Sequence, residues 1–167
     1  LKAAGVNVAG YEKGFRRSGA ASRALLRRAR ALAERSDKVL LFLGLDEGSE
    51  TEGYDRENMR LPENQLELLR EIAEVNPRVG VVLQCGSPVE MTWDVFARAV
   101  LHLYLGGQAV GTACAALLTG RANPCGKLAE TMPVRPEDAP CAPWYPGREA
   151  TCEYREGLFV GYRDYAS

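Results

Sequence analysis

Lys38–Leu45 reads KVLLFLGL, a continuous apolar run of strand length, and such a run marks a strand buried on both faces of a parallel sheet. Val79–Cys85 (VGVVLQC) repeats the pattern. Between them lie an acidic, glycine-bearing loop, Asp46–Arg60, and a helix with Pro62 in its first turn and Glu63 near its positive end. The buried stripe of that helix is Leu66, Leu69, Ile72 and Ala73, and Asn76-Pro77 stops it. A strand, a helical segment and a second strand make a βαβ unit.

Working outward, Ser87-Pro88 opens a short helical segment to about Phe96, and Ala99–Leu105 reads as a further strand ending in Gly106-Gly107. Ala109, Ala113, Ala116 and Leu117 mark another helix that closes near Gly120. The tail is richer in Pro and Gly, with Gly157–Tyr162 (GLFVGY) as a last strand. Upstream, Ala21, Leu25, Ala29 and Leu32 recur at helical spacing between Ala20 and Arg35, with arginines on the other face. Val6–Ala9 is a short β-branched first strand between Gly5 and Gly10. Strands alternating with helices predict an α/β fold with a mostly parallel sheet and right-handed crossovers.

The 167 residues suffice for one domain, and 46% apolar with 26% charged residues exclude disorder. Twenty-one basic against 22 acidic residues leave a net charge of -1, which offers no attraction to nucleic acid or to an anionic membrane. No apolar run approaches the roughly 20 residues needed to span a bilayer. The sequence starts at Leu1, and we expect a fragment of a longer protein, so the lack of a signal peptide says nothing of the compartment. The arginine face of the first helix reads as solvated rather than as a phosphate-binding stripe.

Five cysteines (Cys85, Cys114, Cys125, Cys141, Cys152) are an odd number without a C-x-x-C pair. Zinc knuckles and thioredoxin-like chemistry are therefore unsupported, and the thiols read as reduced core residues, which favours the cytoplasm without fixing the compartment. Gly106–Gly111 lacks the glycine spacing of a dinucleotide loop, and Thr112 stands where a P-loop needs lysine. There is no G-x-S-x-G elbow. His102, the single histidine, lies in an apolar strand and reads as a core residue; alone, it excludes an H-E-x-x-H zinc site. Neither a metal nor a cofactor is expected.

The acidic loop Gly44–Arg60 (GLDEGSETEGYDRENMR) remains. It follows a strand, and ligands of open α/β sheets gather at the carboxyl ends of strands. Asp46, Glu47, Glu50, Glu52 and Asp55 crowd around Gly48 and Gly53. Crowded like charges disfavour ionisation, so one carboxyl can stay protonated and serve as a general acid. Tyr54 offers a ring for a sugar face. The same composition also fits a solvated loop with an Asp55–Arg56 ion pair, or a calcium site, although EF-hand spacing is missing.

The run E-T-E-G-Y-D-R at 50–56, then L-P-E-N-Q at 61–65, resembles the acid/base loop and following helix of family 3 glycoside hydrolases, the β-glucosidase-like enzymes. V-V-L-Q-C-G-S-P-V-E-M at 81–91, L-G-G-Q-A at 105–109, N-P-C-G-K-L-A-E-T-M-P at 123–133 and E-G-L-F-V-G-Y-R at 156–163 extend the resemblance in the same order, from about Val6 to Tyr165. It implies a three-layer α/β sandwich with six strands over 1–167, the C-terminal domain of an enzyme whose N-terminal (β/α)8 barrel is missing here. Family members often carry serine where Cys85 and Cys125 stand, and proline where Gly106 and Ala129 stand.

The activity so implied is hydrolysis of terminal β-D-glucosyl or related residues with retention. The barrel is the partner and supplies an aspartate nucleophile, while the sandwich domain supplies the general acid/base. Carried over, that acid/base is Glu52, with Glu50 as the alternative; Tyr54 would touch substrate, and Asp55 and Arg56 would hold the loop. Retaining enzymes set the two carboxyls about 5–5.5 Å apart, so the fragment alone is expected to be inactive. The competing expectation is a non-catalytic sugar-binding or docking domain.

Overall fold

A computed structural model describes residues 1–147 and 150–166. The regular elements are α1 (Arg23–Glu34), β1 (Val39–Gly44), α2 (Glu63–Val75), β2 (Val79–Gln84), β3 (Ala99–His102), α3 (Val110–Leu118) and a single turn, α4 (Tyr162–Tyr165). Three strands form one parallel sheet in the order β1-β2-β3. The α/β class and the parallel sheet agree with the sequence reading. The six strands do not: among the described residues there are three.

Two of the expected strands fail for visible reasons. Val6–Ala9 is irregular; its Val6 amide donates back to the Leu1 carbonyl (3.2 Å), and among the described residues no neighbouring strand pairs with it. In the tail, Gly157 (φ 59°) and Gly161 (φ 54°) occupy the left-handed region, and Phe159 N–H closes a turn onto Glu156. A chain bent at both ends of so short a run cannot extend. β3 also stops short of Leu105, because Tyr104 takes φ 52° and turns the backbone away. From Ser87 to Phe96 only Asp94–Phe96 is helical, a single 3-10 turn.

Register fixes the faces. Leu41 pairs with Val81, and Leu43 with Leu83, so these side chains share one face. They join Leu26 and Ala33 of α1 and Leu66, Leu68, Leu69 and Ile72 of α2 in one core cluster. Complete burial of Leu69, Ile72 or Leu83 contributes about 1.5–3 kcal/mol each. The opposite face is only partly covered. Val82 is fully buried there, whereas Leu40 and Phe42 are 37% and 48% exposed. β1 is therefore an edge strand buried on one face, not the doubly buried strand its sequence predicts; β2, in the middle, is the strand shielded on both sides.

Leu26 and Ala33 are the buried residues of α1, and the expected stripe lies beside them on the same face: Ala21 and Ala29 pack against the core, and Leu25 and Leu32 are half-buried. The arginines of α1 serve packing: Arg30 reaches Glu71 (3.0 Å) and Glu74 (2.9 Å) of α2. These pairs are solvated, so screening leaves them a minor contribution to stability. Asn76 does more. It is buried, donates to the carbonyls of Ala33 (3.0 Å) and Ser36 (2.7 Å), and accepts from Arg78 N–H (2.9 Å), which joins the end of α1 to the start of β2. No helix among the described residues is long and apolar enough to cross a membrane.

Candidate active site

The strands deliver their carboxyl ends to one edge, at Gly44, Gln84 and His102. Gly44 has no room for a side chain, since an added Cβ would sit 2.0 Å from the Gln84 carbonyl oxygen. Its amide and carbonyl face away from β2, because Leu45 makes the bond to Gln84. Gln65, in the first turn of α2, takes both: its Oε1 accepts from Gly44 N–H (2.9 Å) and its Nε2 donates to Gly44 C=O (2.8 Å). A buried glutamine thus completes the edge of the strand from which the acidic loop departs.

The five carboxylates of that loop do not form a cluster. Asp46 folds the first turn, accepting from Ser49 N–H and Ser49 Oγ (both 3.0 Å). Glu47 pairs with Arg17. Glu50 turns inward, and its Oε1 accepts from Gly86 N–H (2.7 Å), Ser87 N–H (2.9 Å) and Ser87 Oγ (2.9 Å) at the end of β2. An antiparallel bridge between Thr51 and Tyr54 then forms a tight hairpin with Glu52 and Gly53 at its tip. Glu52 is exposed and has no hydrogen-bond or ion-pair partner among the described residues.

Arg56 follows the hairpin and returns to the same place, donating from Nη1 to Ser87 Oγ (2.7 Å) and to the Pro88 carbonyl (3.0 Å). The Asp55–Arg56 ion pair does not form; Asp55 is exposed and without a partner among the described residues, so the loop-holding contacts belong to Arg56. Tyr54 stands beside Glu52, 79% exposed.

Cys85 and His102 lie close enough to Glu50 to feel its charge. Burial, reinforced by the Glu50 charge, pushes the Cys85 thiol up to about 11, so it is a packed side chain and no nucleophile. Burial likewise lowers the His102 pKa, outweighing the Leu83 backbone, and keeps the ring neutral. That ring packs at a tilt on Tyr104, with centroids 3.8 Å apart. Tyr104 Oη accepts from Ala129 N–H (3.0 Å), and Met91 N–H donates to the Pro133 carbonyl (3.0 Å), so the 123–133 segment closes over this edge. Cys85 and Cys114 are buried as expected, but Cys125, Cys141 and Cys152 are exposed and none is paired among the described residues. Nor do three His, Cys, Asp or Glu side chains converge as a metal site there.

Sequence reading did not single out Gln65, Gly86 or Ser87. All three stand inside quoted motifs, L-P-E-N-Q and Q-C-G-S-P, where their signal was available without a role attached. Chemically, the arrangement leaves two carboxyls unengaged among the described residues, Glu52 at the tip of a hairpin whose feet are fastened and Asp55 just beyond its bridge. Such a carboxyl can exchange a proton with a group presented from outside.

The chain matches the glycosyl hydrolase family 3 C-terminal domain over residues 5–162, and it belongs to that family. It is 46% identical over 156 residues to thermostable beta-glucosidase B of Acetivibrio thermocellus, covering 93% of this chain and 21% of that protein. An exo-alpha-(1->6)-L-arabinopyranosidase of Bifidobacterium breve is 42% identical over 134 residues, 80% of this chain and 18% of its own length. The crystal structure of the Bifidobacterium adolescentis GH3 beta-glucosidase superposes with a TM-score of 0.89 at 42% identity, covering 99% of this chain and 25% of that one. The chain thus spans about a fifth to a quarter of the length of these relatives.

Proposed function

We propose that this chain is a single α/β domain that supplies the general acid/base of a retaining β-glycosidase, working against a (β/α)8 barrel that carries the nucleophilic aspartate. Glu52 is the acid/base. The observation that carries this choice over Glu50 is the division of labour in the loop: Glu50 is spent on three hydrogen bonds at the end of β2, while Glu52 stands unengaged at the hairpin tip. A carboxyl that must first protonate a leaving oxygen and then deprotonate water needs its oxygens free. Tyr54, exposed beside it, offers its ring to a sugar.

The substrate is a terminal β-D-glucosyl or related residue; relatives named as beta-glucosidases and an arabinopyranosidase both support the carbohydrate class. The chain alone lacks the opposing carboxyl and is inactive. Three exposed, unpaired cysteines suit a reducing compartment such as the cytoplasm.

The test is Glu52→Gln in the full-length protein that carries this chain. We expect kcat/KM on alkyl and disaccharide β-glucosides to fall about 10²–10⁴-fold, the usual contribution of a general acid. A dinitrophenyl glucoside, whose leaving group needs no proton, should keep a near wild-type kcat/KM. Undiminished turnover of an ordinary glucoside would retire Glu52 from the role.

A further inference from the structure

The hairpin that carries Glu52 is held by both feet at a single residue, Ser87. On the incoming side Glu50 Oε1 accepts from Gly86 N–H, Ser87 N–H and Ser87 Oγ; on the outgoing side Arg56 Nη1 donates to the same Oγ and to the Pro88 carbonyl. The Ser87 hydroxyl therefore bridges an anion and a cation, giving its proton to one and its lone pair to the other. Two consecutive amides aimed at one carboxylate oxygen form an anion-binding concavity, and hydrogen bonds to ionised groups are about twice as strong as neutral ones. Between the feet, the Thr51–Tyr54 bridge leaves only Glu52 and Gly53 to make the turn. Gly86 is tight against Leu105, where an added Cβ would sit 2.8 Å from Cδ1, while the same Cβ would make only an ordinary contact with Glu50 Oε1.

We infer that Glu50 is a positioning residue for catalysis, setting the place of the Glu52 carboxyl through Ser87 and Arg56 without touching substrate itself. This inference rests on Glu52 being the acid/base. Asp55 takes no part in the clamp, having no partner among the described residues. A displaced proton donor penalises substrates in proportion to how much they need the proton. A loop that merely stabilises the domain penalises all substrates alike.

The experiment is a leaving-group series of β-glucosides, from dinitrophenyl through phenyl to alkyl, measured as kcat/KM on the full-length protein with Glu50→Ala, Glu50→Gln and Glu52→Gln. Glu50→Ala should lower the alkyl and phenyl substrates by about 10²-fold, the scale of an ångström's misplacement, and leave the dinitrophenyl substrate within a few-fold. Glu50→Gln, whose carboxamide oxygen still accepts from Gly86 and Ser87, should recover most of the loss. An equal loss across the series, or no loss, overturns the positioning role while Glu52→Gln still steepens the series. If Glu52→Gln leaves the slope unchanged, the acid/base reading fails and the positioning role fails with it. Should Glu50→Ala not fold, Ser87→Ala removes only the bridging hydroxyl and must steepen the series in the same sense; a flat response there overturns the inference equally.

Discussion

Replacing Gln65 with alanine tests whether the end of β1 is completed by a side chain. Gln65 is 4% exposed and closes both backbone groups of Gly44, at 2.9 and 2.8 Å. Each such bond is worth about 1 kcal/mol net, and a buried peptide group left unmatched costs about 1–3 kcal/mol. Because β1 is an edge strand, water can reach Gly44 once the side chain is gone, so the lower end applies. We expect Gln65→Ala to cost about 2 kcal/mol, or roughly 4–8 °C in Tm for a chain of this size. Urea and thermal melts of this chain provide the measurement.

The Gln65→Glu substitution sharpens it. Ionised, the new carboxylate can still accept from Gly44 N–H but sets its other oxygen against the Gly44 carbonyl; protonated, it donates to that carbonyl and restores the pair. Its folded-state pKa is thus raised above the unfolded value, and the stability linked to it is present at low pH and lost as pH rises through the folded pKa. The Gln65→Glu variant should therefore be the weaker of the two at neutral pH and regain ground on Gln65→Ala as the solution is acidified. A cost below about 0.5 kcal/mol for Gln65→Ala, the range of ordinary surface substitutions, or a pH dependence of opposite sign, would refute the reasoning.

Two further outcomes follow from the same edge. Gly44→Ala drives a Cβ to 2.0 Å from the Gln84 carbonyl oxygen, a backbone atom that cannot swing away; it should cost about 3 kcal/mol, the upper end of overpacking, and a wild-type melt would show that β1 and β2 part freely there. Under native conditions at pH 8 a thiol reagent should modify Cys125, Cys141 and Cys152 quickly and spare Cys85 and Cys114. With its pKa near 11, Cys85 holds only about a thousandth of its thiolate at that pH, so rapid native labelling of Cys85, seen by peptide mass mapping, would contradict the packing around Glu50.

The central βαβ unit was legible in the sequence because its signals are local. Apolar runs gave β1 and β2, helical spacing gave α2, and Asn76-Pro77 ended the helix where the structure ends it. What sequence could not show was pairing. Val6–Ala9 and Gly157–Tyr162 carry strand-like composition, but a strand needs a neighbour, and two left-handed glycines bend the second run. For α1 helical spacing found the right face, since Ala21 and Ala29 pack on the core, but not Leu26 and Ala33 as its most buried residues, which only contact with the rest of the core selects. At the site the loop and its glutamates were plain from composition and motif. Which glutamate was free was not, because Glu50 is engaged by residues 36 and 37 positions away.

The loop whose composition fits a solvated segment is fastened at both feet of its hairpin, and the chemistry proposed for it accounts for this. A retaining mechanism needs its acid carboxyl about 5–5.5 Å from the nucleophile, and a useful site holds that geometry to about 0.5 Å. In the proposed division of labour the opposing carboxyl comes from another domain, so this chain must fix its own half of the geometry before the two meet. It does so in three steps that use different elements: Gln65 of α2 fixes the end of β1, Glu50 and Arg56 fix the hairpin feet to the end of β2, and the Thr51–Tyr54 bridge fixes the tip. Glu52, Gly53, the exposed Tyr54 ring and Asp55, unpartnered among the described residues, are left to respond to a ligand. A carboxyl carried on a loose loop of the same sequence would have to be ordered at each turnover, at about 1–2 kcal/mol per residue, and that cost would fall on the step that requires the proton.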